Sequence, residues 1–265
     1  MKIYKEAITL NKNSRGCYIL DTVKGCPGGS LYGGKGCYGA CYAKNIALRY
    51  GFDFEKLIPR KFKNDTRQIW LFGLTDKTQT NKIIRAIKQI NMPFIRIGEM
   101  GDPSVDWTHT LDTCKEIAPA GKKIVIITKH WNIIPDTVLK TVERLGLCIN
   151  TSISALDSDE EIEYRLKQFE RLNNICSSVL RIVSCNFNRE HPHGFDRAII
   201  QSELFKITPN IDTVFRPTAS NHFVVKGIIN TEKIKFLRAR VLASIYNRNT
   251  YMGRCGSCPD MCGLS

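Results

Sequence analysis

The residues of this chain best suited to chemistry are three cysteines in one glycine-rich stretch, Cys26, Cys37 and Cys41 in CPGGSLYGGKGCYGACYAKN, residues 26–45. Ten residues separate the first pair and three the second, and Gly28, Gly29, Gly33, Gly34, Gly36 and Gly39 loosen the backbone between them. Glycine adopts positive φ without strain, so such a loop can wrap an inorganic core closely and bring N–H groups near its sulfurs. Thiolates hold zinc or iron–sulfur clusters, and a site closed by protein on every side takes four ligands. Three ligands therefore mean either a fourth from elsewhere or one metal position left open for a substrate or cofactor.

A second group, Cys255, Cys258 and Cys262 in RCGSCPDMCGLS, has two and then three residues between its thiols, a dense metal-ligand spacing. Zinc and a second iron–sulfur cluster both suit it. Cys17 or Cys185 are candidate fourth ligands, as is a side chain or water from elsewhere. Cys114, Cys148, Cys176 and Cys185 otherwise read as small buried hydrophobes. An odd total of eleven cysteines argues against a complete disulfide framework. The opening MKIYKEAITL lacks the apolar core of a signal peptide, and no apolar run approaches membrane-spanning length. A cytoplasmic protein with reduced thiols is expected.

Thirty-nine Lys and Arg against twenty-five Asp and Glu give a formal charge of +14. The basic residues concentrate at 44–67 and 226–254, flanking both cysteine groups. Such a surface attracts polyanions, so a nucleic acid or nucleotide is the expected partner, and a membrane is not.

Elements alternate regularly around these residues. Tyr18, Ile19, Leu20 and Val23 predict a first strand ending at Lys24-Gly25, so that the cysteine loop leaves its C-terminal end. Tyr42 to Tyr50 predicts a short helix, and 51–80 an irregular insertion covering the site, anchored by Trp70-Leu71-Phe72. Further strands are expected at Phe94–Ile97, Lys123–Thr128, Leu147–Ile153, Val179–Ser184 and Ile211–Phe215. The helices between and after them are expected at Asn81–Asn91 (capped by Thr80), Asp106–Ile117, Pro135–Leu145, Ser158–Leu172, Arg197–Lys206 and Thr231–Tyr246. Six strands each followed by a helix imply parallel pairing with right-handed crossovers, in an open sheet or a six-unit partial barrel. Functional residues of such folds gather at the C-terminal strand ends. Those ends carry the first cysteine loop, Gly98-Glu99-Met100-Gly101-Asp102, Lys129-His130-Trp131, Ser152 to Ser154, Ser184-Cys185-Asn186 and Arg216-Pro217-Thr218. Lys129 and Asp136 fit solvated loops equally well; His191 and His193 read as a polar loop, and Asn221-His222 as weak site candidates.

In architecture, residues 17 to 247 resemble the radical S-adenosylmethionine superfamily, whose members combine a six-unit partial barrel, a three-cysteine loop after the first strand and a GGE-like motif ending the second. Cys26, Cys37 and Cys41 match the loop in place, and RIGEMGDPS, Arg96 to Ser104, matches the second motif in position and partly in letters. The spacing departs from the commonest pattern of three residues and then two, which would place a cysteine where Lys44 stands. The wide loop with its CPG and the C-terminal cysteines looks closer to phage-encoded radical enzymes.

The resemblance implies an α/β partial (β/α)6 TIM-like barrel over residues 1–250 and a cysteine-rich metal-binding tail over 251–265. It implies a [4Fe–4S] cluster on Cys26, Cys37 and Cys41 with S-adenosylmethionine on the open iron, and a flavodoxin- or ferredoxin-type reductant protein. Glu99 or Asp102, beside Gly98, would accept from the cofactor's amino group, and Tyr42 would pack on cofactor or cluster. Ser152, Ser154 and Arg165 would hold its ribose and carboxylate, unless the serines make ordinary strand-end hydrogen bonds and Arg165 a solvated ion pair. The expected task is radical chemistry on an unidentified substrate, nucleic acid or nucleotide modification first among the choices. The alternatives are a non-enzymatic zinc protein that grips nucleic acid and an iron–sulfur enzyme independent of S-adenosylmethionine.

Overall fold

A computed structural model describes residues 7–62, 78–215, 217–230, 251 and 253–264. Strand β1 (Leu10–Lys12) pairs antiparallel with β2 (Tyr18–Leu20), and β3 (Val23–Lys24) pairs antiparallel with β4 (Ile58–Pro59). Five longer strands follow: β5 (Phe94–Ile97), β6 (Lys123–Thr128), β7 (Cys148–Ile153), β8 (Ser177–Ser184) and β9 (Asn210–Val214). The main sheet is seven-stranded, in the order β1-β2-β5-β6-β7-β8-β9, with every pair from β2 to β9 parallel. The parallel strands thus lie side by side in chain order, with no reversal.

Helices α1 (Tyr42–Arg49), α2 (Thr78–Gln89), α3 (Trp107–Ile117), α4 (Asp136–Arg144), α5 (Asp159–Asn173) and α6 (Pro192–Leu204) connect them, and a single turn, α7 (His222–Val225), follows β9. Their starts are written in local chemistry. Ser158 and Glu161 form a reciprocal capping box at α5, whose first turn carries Asp159, Glu160 and Glu161 against the helix dipole. The Asp106 carboxylate accepts from the His109 N–H at the start of α3.

Strand periodicity gives the sheet two unlike faces. Ile95, Ile97, Ile124, Ile126, Ile149, Ile153, Leu180 and Ile182 alternate onto one face and are buried, the last three with Phe169 of α5 and Leu204 of α6. The residues between them, Arg96, Asn150, Ser152 and Arg181, share the other face, as the register of β7 and β8 requires. A face bearing two arginines and an asparagine cannot be covered by apolar helices without leaving polar groups unpaired. Segment 253–264 covers part of it instead. Asn150 Nδ2 donates to the Cys262 carbonyl at 3.0 Å, Arg181 Nη2 lies 3.4 Å from Cys262 Sγ, and a side chain at Gly263 would strike Val179.

The expected first strand is two strands. Asp21 and Thr22 interrupt it because the Asp21 carboxylate turns to accept N–H groups of Glu99 and Met100 at 2.7 and 3.2 Å, while Thr22 bonds Thr110. Helix α2 includes Thr78, so Thr80 lies inside it instead of capping it. Helix α6 starts at Pro192, before the expected Arg197, because proline suits a first helical turn. The expected helix at 231–246, the Trp70-Leu71-Phe72 anchor and Arg216 fall outside the described residues. Among the described residues no helix is long and apolar enough to cross a membrane.

Candidate metal and ligand site

Backbone hydrogen bonds tie the start of the first cysteine loop to the turn after β5 and to Phe54. Gly25 N–H donates to the Met100 carbonyl at 3.2 Å, Asp102 N–H to the Gly25 carbonyl at 3.4 Å, and Cys26 N–H to Phe54 at 2.9 Å. Gly25 and Gly101 make these approaches possible: a Cβ on Gly101 would run into the carbonyls of Val23 and Gly25, and one on Gly25 into those of Phe54 and Lys56. Within the loop Gly36 has φ +78°, and a Cβ there would overlap the Cys41 side chain. At Gly28 a Cβ would come within 2.8 Å of Cys37 Sγ and 2.6 Å of the Trp131 ring. The glycines therefore leave room for sulfur, and Tyr32 and Tyr38 also take left-handed conformations at φ 52° and 56°.

Cys26, Cys37 and Cys41 lie near enough to act on one another's charge. Burial pushes the Cys26 thiol far above its usual range, with Asp102, Cys37 and Cys41 adding to it. Burial pushes Cys37 up to about 11, although Lys129 and Arg165 oppose it. Thiols so placed stay protonated until a metal supplies positive charge, since a coordinating thiol is deprotonated outright. Among the described residues, no three His, Cys, Asp or Glu side chains are gathered tightly enough to hold a single metal ion as they stand. The donor set and the glycine frame fit a sulfur-ligated centre.

Beside Cys37 lies a cavity of about 390 Å³ lined by Tyr32, Tyr38, Lys129, Trp131, Asp157 and Arg165 among others. Its polar wall is a buried charge network. Asp157 Oδ2 lies 2.6 Å from Arg165 Nη1, and Lys129 Nζ lies 3.2 Å from Asp157 Oδ1 while donating to the Tyr38 hydroxyl. Arg165 Nε donates to the Lys129 carbonyl at 3.0 Å and Nη2 to Glu161 at 3.1 Å. Arg165 Nη1, though close to Asp157, makes no aligned hydrogen bond, and neither does Trp131 Nε1. Burial alone would raise the Asp157 pKa, but Lys129 and Arg165 overcome it and hold the carboxyl below its usual value. A second cavity of about 380 Å³ shares Tyr32 and Asp157 and is lined further by His193, Arg197, His222 and Phe223.

The other expected residues divide clearly. Glu99, half-buried, receives hydrogen bonds from Tyr42, Arg96 and, at 3.2 Å, Asn13. Asp102 is spent on the fold: Ser104 N–H and hydroxyl, Thr128 Oγ1 at 2.5 Å and Lys129 N–H at 2.8 Å all donate to it. Gly98 at φ +97° lets the chain pass the Ile127 carbonyl. Ser154 is buried, donating to the Val183 carbonyl and accepting from Leu156 N–H, as strand-end serines do. Ser152 sits on the polar face beside Arg181. Arg165 is buried in the network, not solvated, and so is Lys129, whereas Asp136 is exposed and pairs with Arg171. His130 is packed between Trp107 and Thr151, and burial lowers its pKa to about 3. The His191 and His193 rings lie 5.7 Å apart, tilted by 35°.

Sequence reasoning missed Asp157, Tyr38 and Arg96. Asp157 stands just before the Ser158 cap and looks like a loop residue in sequence; Arg96 hides inside an apolar strand. Lys44, where the commoner spacing would put a cysteine, is buried in an ion pair with Glu55 at 2.7 Å. No protein-family model matches the chain, and no curated protein is similar enough to stand as a relative.

Proposed function

We propose that this protein is a radical S-adenosylmethionine enzyme on a six-unit partial barrel, acting in the cytoplasm. The observation that carries the reading is the pairing of three mutually interacting cysteines, on a glycine frame, with a cavity bearing Lys129 and Arg165 beside Cys37. Parallel strands in chain order suit a curling barrel better than a doubly wound sheet, whose strand order reverses at its binding crevice. Polar groups on the inner face, such as Arg96 and Arg181, suit an enclosed working interior.

Cys26, Cys37 and Cys41 would hold a [4Fe–4S] cluster with one iron left open. When bound, that cluster supplies the electron that cleaves S-adenosylmethionine and so releases a hydrogen-abstracting adenosyl radical. Glu99 would accept from the cofactor's amino group, and Tyr42 and Arg96 fix the Glu99 carboxylate in place. Lys129 and Arg165 would hold the cofactor's carboxylate, with Asp157 keeping both cations in register. Trp131 and Tyr38 add aromatic surface to the cavity wall. The neighbouring cavity, with Tyr32, His222 and Phe223 as aromatic faces and Arg197 as a cation, suits a nucleobase or nucleotide. A flavodoxin- or ferredoxin-type protein would deliver the electron.

The test is iron and sulfide content with an optical spectrum after anaerobic purification, wild type beside a Cys26, Cys37 and Cys41 to Ala triple variant. About four more irons in the wild type, with 5′-deoxyadenosine released on adding reductant and S-adenosylmethionine, supports the reading. Zinc alone in both proteins after reconstitution overturns it in favour of a zinc-dependent nucleic-acid-binding protein.

A further inference from the structure

The second cysteine group contains three thiols in sequence, and the fold brings a fourth to it. Cys17, immediately before β2, is buried in one cluster with Cys255, against which Cys262 packs, and lies within charge range of both; Cys258 in turn lies within charge range of Cys262. The approach is built by backbone and arginine contacts. Cys255 N–H donates to the Arg15 carbonyl at 2.8 Å, and the Arg15 guanidinium donates to the carbonyls of Gly253 and Tyr251 at 3.0 and 3.1 Å. Cys185, the other sequence candidate, is elsewhere: it packs with Leu156 and Phe187, and its backbone N–H and carbonyl are both taken by the Gln201 amide.

Two further observations bear on what this group holds. Arg15, Arg96 and Arg181 all line the cavity that contains Cys255, Cys258 and Cys262, and Asp212 and Asp260 are the acidic groups there. Such a cationic wall suits a centre of net negative charge, as four thiolates around zinc or an iron–sulfur core would be. Met261 and Cys262 also take left-handed backbone conformations, at φ 38° and 60°, a cost for residues with side chains that persists where surroundings impose it.

We propose that Cys17, Cys255, Cys258 and Cys262 form a second metal centre, closed by four thiolates, that takes zinc or an iron–sulfur cluster. With no open position it holds segment 253–264 against the polar face of the sheet and does not bind substrate through the metal. It lies toward the N-terminal ends of the strands, because Cys17 precedes β2 and Cys262 contacts Cys148, the first residue of β7. The first cysteine loop lies at the opposite ends. The proposal therefore stands whether or not that loop holds a cluster.

The experiment uses the Cys26, Cys37 and Cys41 to Ala triple variant as background, so that remaining metal reports the second centre alone. Metal content after anaerobic purification, by elemental analysis, is expected near one zinc or one cluster per chain. It should fall at least tenfold on adding Cys17→Ala or Cys258→Ala, and stay unchanged on adding Cys185→Ala. Cys17→His, which changes the same buried position but can still ligate, should retain metal with an altered ligand signature in X-ray absorption. Equal occupancy with Cys17→Ala and without it overturns the proposal, as does loss with Cys185→Ala or an absence of metal from the background variant. The nature of the metal found separates zinc from iron–sulfur, and both agree with a four-thiolate centre.

Discussion

Arg165 reaches from the first turns of α5 to place Nη1 2.6 Å from the Asp157 carboxylate, and both side chains are almost wholly removed from solvent. A buried ion pair is weak evidence for stability by itself, since desolvation offsets much of the attraction, but breaking one partner leaves an uncompensated charge. The pair also carries Lys129, so one carboxylate orients two cations at the cavity wall. Under the proposed function, these cations would meet the cofactor's carboxylate at fixed positions.

Replacing Asp157 with Asn should destabilise the protein by about 3–5 kcal/mol, the usual cost of removing one partner from a buried pair. Because the folded-state pKa of Asp157 is depressed, its contribution is present above the unfolded value of 3.8 and lost as pH falls through the lower folded value. Urea denaturation of the wild type below pH 4 should show this loss, and the Asp157→Asn variant should lack that component.

His130 gives a separate acid sensitivity at higher pH. Its pKa falls from 6.5 to about 3 by burial, with Arg165 and Arg171 adding to the effect, so the native state keeps the ring neutral. The unfolded chain binds a proton there below pH 6.5, and stability should decline as pH drops from 6.5 toward 3. An imidazole resonance that does not titrate between pH 7 and 5 in NMR is the direct check; a shift in that window would remove this account.

Glu99→Gln should lower S-adenosylmethionine cleavage at least about tenfold, equivalent to about 1.4 kcal/mol of lost transition-state binding. Iron bound at the first loop should not change. Tyr42→Phe, which removes one donor to Glu99 and leaves the carboxylate, should cost less. Kinetics of 5′-deoxyadenosine release distinguish these outcomes, and unchanged rates in Glu99→Gln would assign that carboxylate to structure alone.

Two glycine variants separate backbone strain from loss of room for sulfur. Gly33→Ala has φ +65° and nothing within 4 Å of the new Cβ, so it should cost about 1–2 kcal/mol and keep its iron. Gly36→Ala carries the same left-handed penalty and also collides with Cys41. It should lose most of the iron that Gly33→Ala retains, measured side by side.

Much of the scaffold was legible in sequence because parallel strands buried on one face read as apolar runs: Phe94–Ile97 and Lys123–Thr128 have the boundaries expected of them, and β7 and β8 differ by a residue or two. The strand break at Asp21 was not legible, because its cause is the Glu99 and Met100 backbone on another loop. Arg165 was ambiguous for the same reason: a charged helix looks solvated until Asp157 and the Lys129 carbonyl are brought against one of its arginines. Spacing picked out both cysteine groups, but only the meeting of chain segments could favour Cys17 over Cys185 beside Cys255.

The cover on the polar face has a consequence for how the molecule is made. Residues 253–264 follow every strand of the sheet in the chain, yet they add partners for Asn150 and Arg181, which otherwise bond each other and, from Arg181, Thr213. On the ribosome the strands emerge first, and their arginine-bearing face must wait in water for a segment not yet synthesised. Hydration suits that interval, since guanidinium and amide groups are soluble where an apolar face would invite aggregation. Cover on that part of the face thereby waits until after the last strand has emerged.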